Sequence, residues 1–290
     1  MTRAVLIGLS TIDVVYHIDA FPRNNEKILA RDQSVSVGGP AANAAIAFAH
    51  LGGKPTVVSA IGRHALANMV RDELQQHGVQ FVDLNPRFEG VPVISSVSVD
   101  KSGNRNVISA NATRIQTPAA QVDPVLLQQA AIVLVDGHYM QACQTWAAAA
   151  EARGIPVVLD GGSWKEGSEE LLQSTHTAIC SADFLPPGCA SKDDVFQFLK
   201  ECGVANIAIT DGAAPVEFVS GQSSGTLRVP QVEVVDTMGA GDIFHGAYCY
   251  FAATRRGFVE SLAEAATIAA ESCRYPGTRE WMNNLSLVES

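Results

Sequence analysis

The sequence predicts a doubly wound or similar three-layer α/β fold. Short apolar runs rich in Val and Ile alternate with amphipathic stretches along most of the 290 residues. Such runs suit strands buried on both faces of a parallel sheet, and the stretches between them suit helices that cover it. Two further segments alternate apolar and polar residues with a period of two, which indicates a second, smaller sheet exposed on one face.

The elements of the central body follow in order along the chain. Apolar runs predict strands at residues 4–9, 55–62, 131–137, 156–162, 176–181 and 206–210. Amphipathic stretches predict helices at residues 40–51, 65–77, 124–130, 143–153, 192–201 and 259–275. The first helix begins with Pro40 after two glycines and ends before two more, an order typical of helices.

The period-two segments are residues 14–37 and 91–110, and we expect both to form antiparallel strands. The second contains a turn signal at Asp100–Asn104. A small sheet inserted into an α/β body would form a lid, and its exposed face would also offer a surface for a homodimer. No linker rich in Pro, Gly or Ser divides the chain, so residues 1–290 are expected to form one domain.

Charge and composition argue against several classes of protein. The net charge is −10 and the longest basic run is Arg255-Arg256, which disfavours binding to nucleic acid or to an anionic membrane. We expect neither a signal peptide nor a transmembrane helix, because the apolar stretches are too short. The six cysteines are scattered without metal-ligand spacing, which favours reduced thiols in a cytoplasmic protein.

The segment Asp236-Thr-Met-Gly-Ala-Gly-Asp242 carries the clearest chemical signal. A predicted strand containing Val232 and Val234 leads into the glycine turn, and a helical pattern follows from Ile243. Amides exposed by such a turn, together with the helix dipole, form an anion hole. An acid at its mouth is either an ordinary helix N-terminal charge or a general base, and phosphoryl transfer to an alcohol needs a base beside an anion hole.

Two motifs resemble the signatures of the PfkB (ribokinase-like) carbohydrate kinases. Asp236–Asp242 is similar to the C-terminal signature, and Gly38-Gly-Pro-Ala-Ala-Asn43 to the N-terminal one, about 200 residues earlier. The resemblance covers essentially the whole chain. It implies a three-layer ribokinase-like fold, with a mostly parallel central sheet, flanking helices and a β-lid of roughly residues 14–37 and 91–112. It also implies a kinase that uses ATP and Mg²⁺ to phosphorylate a small sugar.

The resemblance implies a role for each matching residue. Asp242 would deprotonate the acceptor hydroxyl, and the amides of Gly239, Ala240 and Gly241 would stabilise the γ-phosphoryl group. The residues implied to contact the sugar are Asp13, Gly38, Gly39 and Asn43, with Arg105, Asn111 and His138 as further candidates. Those implied to contact the nucleotide are Lys165, Thr210, Gly212 and Gly277. For most of these positions an ordinary turn or a solvated surface side chain is the alternative explanation.

The chain departs from the family pattern at several positions. Ser181-Ala-Asp-Phe184 stands where the family often has Asn-x-x-Glu, which is linked to Mg²⁺ placement, so the metal ligands are unknown and Asp183 is a candidate substitute. Gly62-Arg63-His64 stands in place of Gly-Asp-Asp.

The chain length, Ser181 and Cys273-Arg-Tyr-Pro-Gly277 resemble the ketohexokinase and sulfofructose kinase branch, which suggests a ketose or a ketose derivative as acceptor. Arg63, Arg105 and His138 are the cations that an anionic acceptor would need. Two alternatives remain: a nucleoside kinase of the same fold, and a non-catalytic regulatory relative, which the altered residues 181–184 favour.

Overall fold

The computed structural model describes residues 1–110, 112–118 and 121–284. Within them the strands are β1 Arg3–Ile7, β2 Thr11–His17, β3 Asp32–Gly38, β4 Lys54–Ser59, β5 Gln80–Asp83, β6 Ile94–Val99, β7 Arg105–Ser109, β8 Ile132–Val135, β9 Val157–Gly161, β10 Thr177–Ser181, β11 Asn206–Thr210, β12 Val216–Ser220 and β13 Ser223–Leu227. The α-helices are α1 Pro40–His50, α2 Ala65–Gln76, α3 Pro124–Gln129, α4 Met140–Glu151, α5 Ser168–Leu172, α6 Lys192–Glu201, α7 Ala240–Ala253 and α8 Phe258–Ser272.

The larger sheet has nine strands in the order β13-β12-β11-β10-β9-β8-β1-β4-β5. Its strands are parallel from β11 to β5, and β12 and β13 add an antiparallel edge. Apolar side chains of α1, α2, α7 and α8 pack in the core on one side of the sheet, and those of α3, α4, α5 and α6 in the core on the other. The three-layer prediction is confirmed.

The smaller sheet has the order β3-β2-β6-β7 and is built from the two period-two segments. The prediction of antiparallel strands is correct for β2–β3 and β6–β7 but wrong for the central pair, because β2 and β6 run parallel. A period of two fixes which face of a strand is buried, whereas the direction of its partner depends on the path of the chain between them. Val15, Val97 and Val99 form the buried face of this sheet.

The strand expected at Val232 and Val234 is absent from the described residues, and both side chains line a cavity instead. Four elements found here were not predicted, namely β5, α5 and the hairpin β12–β13. The hairpin lacks a continuous apolar run because it lies at a sheet edge, where the residues of β13 are partly or fully exposed.

Residues 221–225 fit the Gly-x-Ser-x-Gly pattern of hydrolases, but they lie at this hairpin rather than at a strand-to-helix turn.

None of the described helices combines the length and the apolar character that crossing a bilayer requires. The six cysteines are all free thiols, and Cys143, Cys180 and Cys249 are buried. Burial raises the pKa of each of these three thiols, so they remain protonated at neutral pH.

Helices α1 and α7 make close backbone contact at Gly246. A Cβ atom there would lie 2.2 Å from the carbonyl oxygen of Ala44 and 2.9 Å from its Cα. Ala44 follows Asn43, and Gly246 lies one turn after Asp242. This close crossing of α1 and α7 therefore sets the distance between Asn43 and Asp242, two residues that the sequence predicts for the site.

We expect Gly246→Ala to lower the free energy of unfolding by about 1–3 kcal/mol, because backbone atoms of the facing helix must shift. The matched control is Gly257→Ala, where φ is −64° and no heavy atom lies within 4 Å of the added methyl group. Urea titration of both variants measures the effect. Equal midpoints for the two variants would contradict the prediction.

Candidate active site

The turn before α7 is fixed by Asp236. Its Oδ1 accepts a hydrogen bond from the Met238 amide and its Oδ2 one from the Gly277 amide, each at 2.9 Å. Gly239 precedes the helix with a φ of 68°, in the left-handed region that favours glycine, and a Cβ there would lie 2.6 Å from Cγ2 of Thr278. The C-terminal segment therefore holds the turn in place.

Two of the amides in this turn point to no acceptor. Among the described residues, neither Gly239 nor Gly241 donates its amide hydrogen to a protein oxygen, whereas Ala240 makes a long bond of 3.3 Å to the carbonyl of Thr237. A Cβ at Gly241 would meet no heavy atom within 4 Å, so the turn opens onto free space. Unpaired amides at a helix N-terminus favour a bound anion.

Asp242 lies in the first turn of α7 beside these amides. The buried Asn43 donates a hydrogen bond of 2.7 Å from Nδ2 to its Oδ2, across 199 residues of sequence. Burial, assisted by the negative charge of Asp160, raises the pKa of Asp242 to about 7, although the Asn43 hydrogen bond opposes this. A carboxyl group with such a pKa is suited to accept a proton near neutral pH.

We expect kcat/KM to rise with pH and to reach a plateau above a midpoint near 7. Below that midpoint Asp242 is protonated and cannot accept a further proton, so activity falls as pH falls. A pH profile of initial rates measures the midpoint. A profile that is flat between pH 5.5 and 8.5, about one and a half units either side of the midpoint, would contradict this role.

Asp13 lies on β2 near the end of β3, where the predicted sugar contacts converge. Its Oδ1 accepts a hydrogen bond of 2.6 Å from Oγ1 of Thr11, and burial raises its pKa. A Cβ at Gly38 would lie 1.9 Å from Oδ2 of Asp13, and one at Gly39 would lie 2.4 Å from the carbonyl oxygen of Leu9. The two glycines thus allow close packing of the strands around Asp13.

Arg279 is a residue of this site that the sequence analysis missed. Its Nη1 donates to Oδ1 of Asn43 at 2.9 Å, its Nη2 to the carbonyl of Val37 at 2.7 Å, and its Nε lies 3.1 Å from Oε1 of Glu73. Because Arg279 occupies the amide oxygen of Asn43, the Nδ2 group must face Asp242. The only feature of the sequence that could have indicated Arg279 is its position two residues after Gly277.

A cavity of about 580 Å³ lies on the other side of the glycine turn. Predicted residues on its wall are Arg105, Thr210, Gly212, Ala240 and Gly241. Arg105 extends from strand β7 of the small sheet and donates a hydrogen bond to Oγ1 of Thr237. This residue was predicted beside the sugar, but here it lies on the wall of the cavity.

Other predicted residues lie apart from the cavity wall. Lys165 lies beside Gly137, and its Nζ donates to the carbonyl of Ser163 at 3.2 Å. His138 follows β8, with its amide bonded to Asp136 at 2.9 Å, and Gly277 uses its amide for Asp236. The charge of Arg63 is paired with Glu89. Asn111 lies outside the described residues.

No group of three or more potential metal ligands occurs among the described residues. Mg²⁺ in phosphate-binding sites is commonly held by one or two carboxylates together with phosphate oxygens. Asp183 is exposed on the cavity wall and fits this need, whereas Asp211, also on the wall, lies 3.2 Å from Nζ of Lys192.

The fold and the site together define a phosphotransferase: a raised-pKa carboxyl group, unpaired amides and a large adjoining cavity lie at one end of a parallel sheet. Residues 1–284 match the family model described as pfkB family carbohydrate kinase, and the chain belongs to this family of sugar kinases.

Several ribokinases are similar to the chain. The ribokinase of Haemophilus influenzae is 22% identical, with 94% of this chain and 93% of that protein covered. The ribokinase of Bacillus subtilis is 26% identical, with 86% and 85% covered. Among solved structures, Thermotoga maritima ribokinase has a TM-score of 0.83 at 21% identity, with 98% of this chain and 99% of that chain covered. Arabidopsis thaliana ribokinase complexed with ribose and ATP has a TM-score of 0.80 at 22% identity, with 96% and 94% covered.

Proposed function

We propose that this sugar kinase transfers the γ-phosphoryl group of ATP to a primary hydroxyl group of its acceptor, with Asp242 as the general base. The observation that carries the proposal is the contact between Asp242 and Asn43 beside the unpaired amides of Gly239 and Gly241. The acceptor would lie between Asp13 and Asp242, on the side of the small sheet. ATP would occupy the cavity lined by Thr210 and Gly212.

In the proposed reaction the acceptor oxygen forms a bond to the γ-phosphorus as the bond to the bridging oxygen of ADP breaks. The hydroxyl proton passes to Asp242, and the amides of Gly239 and Gly241 stabilise the charge on the transferring group. Mg²⁺ held by Asp183 and the phosphate oxygens would neutralise part of that charge. Arg105 would reach the phosphates from the small sheet, which would then act as a lid that excludes water.

We further propose a ketose or a ketose derivative as the acceptor, on the pattern of Ser181 and Cys273–Gly277. ADP release is measured with fructose-type ketoses, ribose and other aldoses, sugar phosphates and nucleosides at equal concentrations. We expect the highest kcat/KM with a ketose. A preference for ribose would overturn the ketose assignment alone, a preference for nucleosides would favour the nucleoside kinase, and no release above the acceptor-free rate would overturn the proposed function.

We also propose that two copies of the chain form a homodimer through the small sheet. The protein is proposed to be cytoplasmic. Val107 and Ile108 lie on opposite faces of its edge strand β7 and are 60% and 76% exposed, which supports an apolar contact along this edge. We expect light scattering to give twice the chain mass of 30.7 kDa, and Ile108→Lys to give the single mass. A wild-type particle of 30.7 kDa would contradict the dimer.

A further inference from the structure

A buried histidine lies behind the first turn of α7, and none of the roles above uses it. His245 is 5% exposed and lies one turn after Gly241. Its Nδ1 is 2.7 Å from the carbonyl oxygen of Gly241, and its Nε2 is 3.1 Å from the carbonyl oxygen of Ile179. Nε2 also lies 3.5 Å from Oδ1 of Asp160, which is 7% exposed.

The atoms around this ring determine its protonation state. The two carbonyl oxygens can only accept hydrogen bonds, and each faces a different ring nitrogen. A neutral imidazole carries one N–H, so one of its nitrogens would direct a lone pair at a carbonyl oxygen, whereas an imidazolium donates to both. A buried cation requires a counter-ion, which Asp160 supplies.

We propose that His245 is a positioning residue for phosphoryl transfer, held as an imidazolium by Asp160. This inference rests on the proposed function. Its Nδ1–H group holds the carbonyl of Gly241 and thereby fixes the turn whose amides face the free space. Its charge lies close behind Asp242, where it favours the ionised carboxylate and adds to the positive potential of the helix N-terminus.

The charges around Asp242 determine whether its pKa should rise or fall when His245 is replaced. Asp160 raises the pKa of Asp242 and His245 lowers it, while Asp13 adds a smaller increase. Burial raises the pKa of Asp160 itself and the charge of His245 opposes this, with smaller effects from Asp136, Lys165 and His138. The thiols of Cys180 and Cys249, which Asp160 also influences, stay protonated. Removal of His245 alone takes away a charge that lowers the pKa of Asp242, so that pKa should rise.

The protonation state is tested directly by nitrogen NMR of the histidine-labelled protein at pH 8, without ATP or acceptor. We expect both ring nitrogens of His245 to be protonated, with His245→Asn identifying its signals. His50 provides a reference in the same spectrum, because burial lowers its pKa and its Nε2 has no hydrogen-bond partner among the described residues. A neutral His245 ring at pH 8 would overturn the inference while leaving the proposed function intact.

The consequence for Asp242 is tested by the pH profile of kcat/KM. We expect His245→Asn to move the acidic midpoint upward by about one pH unit, and His245→Gln to do the same. The double variant His245→Asn/Asp160→Asn removes both charges, so its midpoint should return toward that of the wild type. A loss of activity with an unchanged midpoint in the single variants would indicate packing alone and would overturn the role. Absence of activity toward every acceptor would instead refute the proposed function, and the NMR result would still stand.

Discussion

Asp242→Asn is expected to lower kcat by about 10²–10⁴-fold, the usual contribution of a general base. The substitution keeps the shape of the side chain, and its amide oxygen can still accept the hydrogen bond from Nδ2 of Asn43. The glycine turn and the cavity are unchanged, so KM for ATP should change little. Initial rates with the best acceptor at pH 8 measure the effect.

The Asp242→Asn variant should not be less stable than the wild type. The folded protein holds the Asp242 proton up to a pH of about 7, whereas the unfolded chain releases it near 3.8. The contribution of this group to stability is therefore greatest below pH 3.8 and is lost as pH rises through 7. An asparagine avoids this loss, so thermal unfolding at pH 8 separates a catalytic defect from unfolding.

The matched control is Asp193→Asn, since Asp193 is an exposed acid in the first turn of helix α6. If Asp242 served only as a helix N-terminal charge, the two variants would behave alike and both would retain activity. Near wild-type turnover in Asp242→Asn would refute its assignment as the base.

Arg279→Met is expected to reduce both stability and activity. Arg279 and Glu73 are 19% and 18% exposed, and removing one partner of a largely buried ion pair costs about 3–5 kcal/mol. The variant also frees the amide oxygen of Asn43, so the amide group can rotate away from Asp242. We expect kcat/KM per folded molecule to fall by about 10–100-fold, as misplacement of a catalytic group does.

The matched control is Arg71→Met, because Arg71 pairs with Asp83 at 2.9 Å and also bonds the carbonyl of Gly62, with no contact to Asn43. It should lower the free energy of unfolding while leaving kcat/KM per folded molecule unchanged. Urea titration and rates below the unfolding temperature give both quantities. If the two arginine variants had equal kcat/KM, the positioning of Asn43 by Arg279 would be disproved.

Local patterns were sufficient for six of the nine strands of the central sheet, namely β1, β4, β8, β9, β10 and β11, and for the start of α7. The runs at 131–137 and 156–162 became β8 and β9 because a strand covered on both faces needs continuous apolar residues. Strand β13 was missed because its partly exposed edge position needs no such run. Val232 and Val234 resemble part of a strand in the sequence because both line the cavity while Glu233 between them does not.

The sequence by itself determined most of the alternating strands and helices of the central body, the glycine turn with Asp242 after it, and the presence of a second sheet. Only the tertiary structure decided that Asn43 meets Asp242, that Arg279 orients Asn43, and that His245 faces Asp160. Propensity and periodicity act over a few neighbouring residues, whereas these contacts join segments that meet only when complementary faces of distant helices and strands pack together.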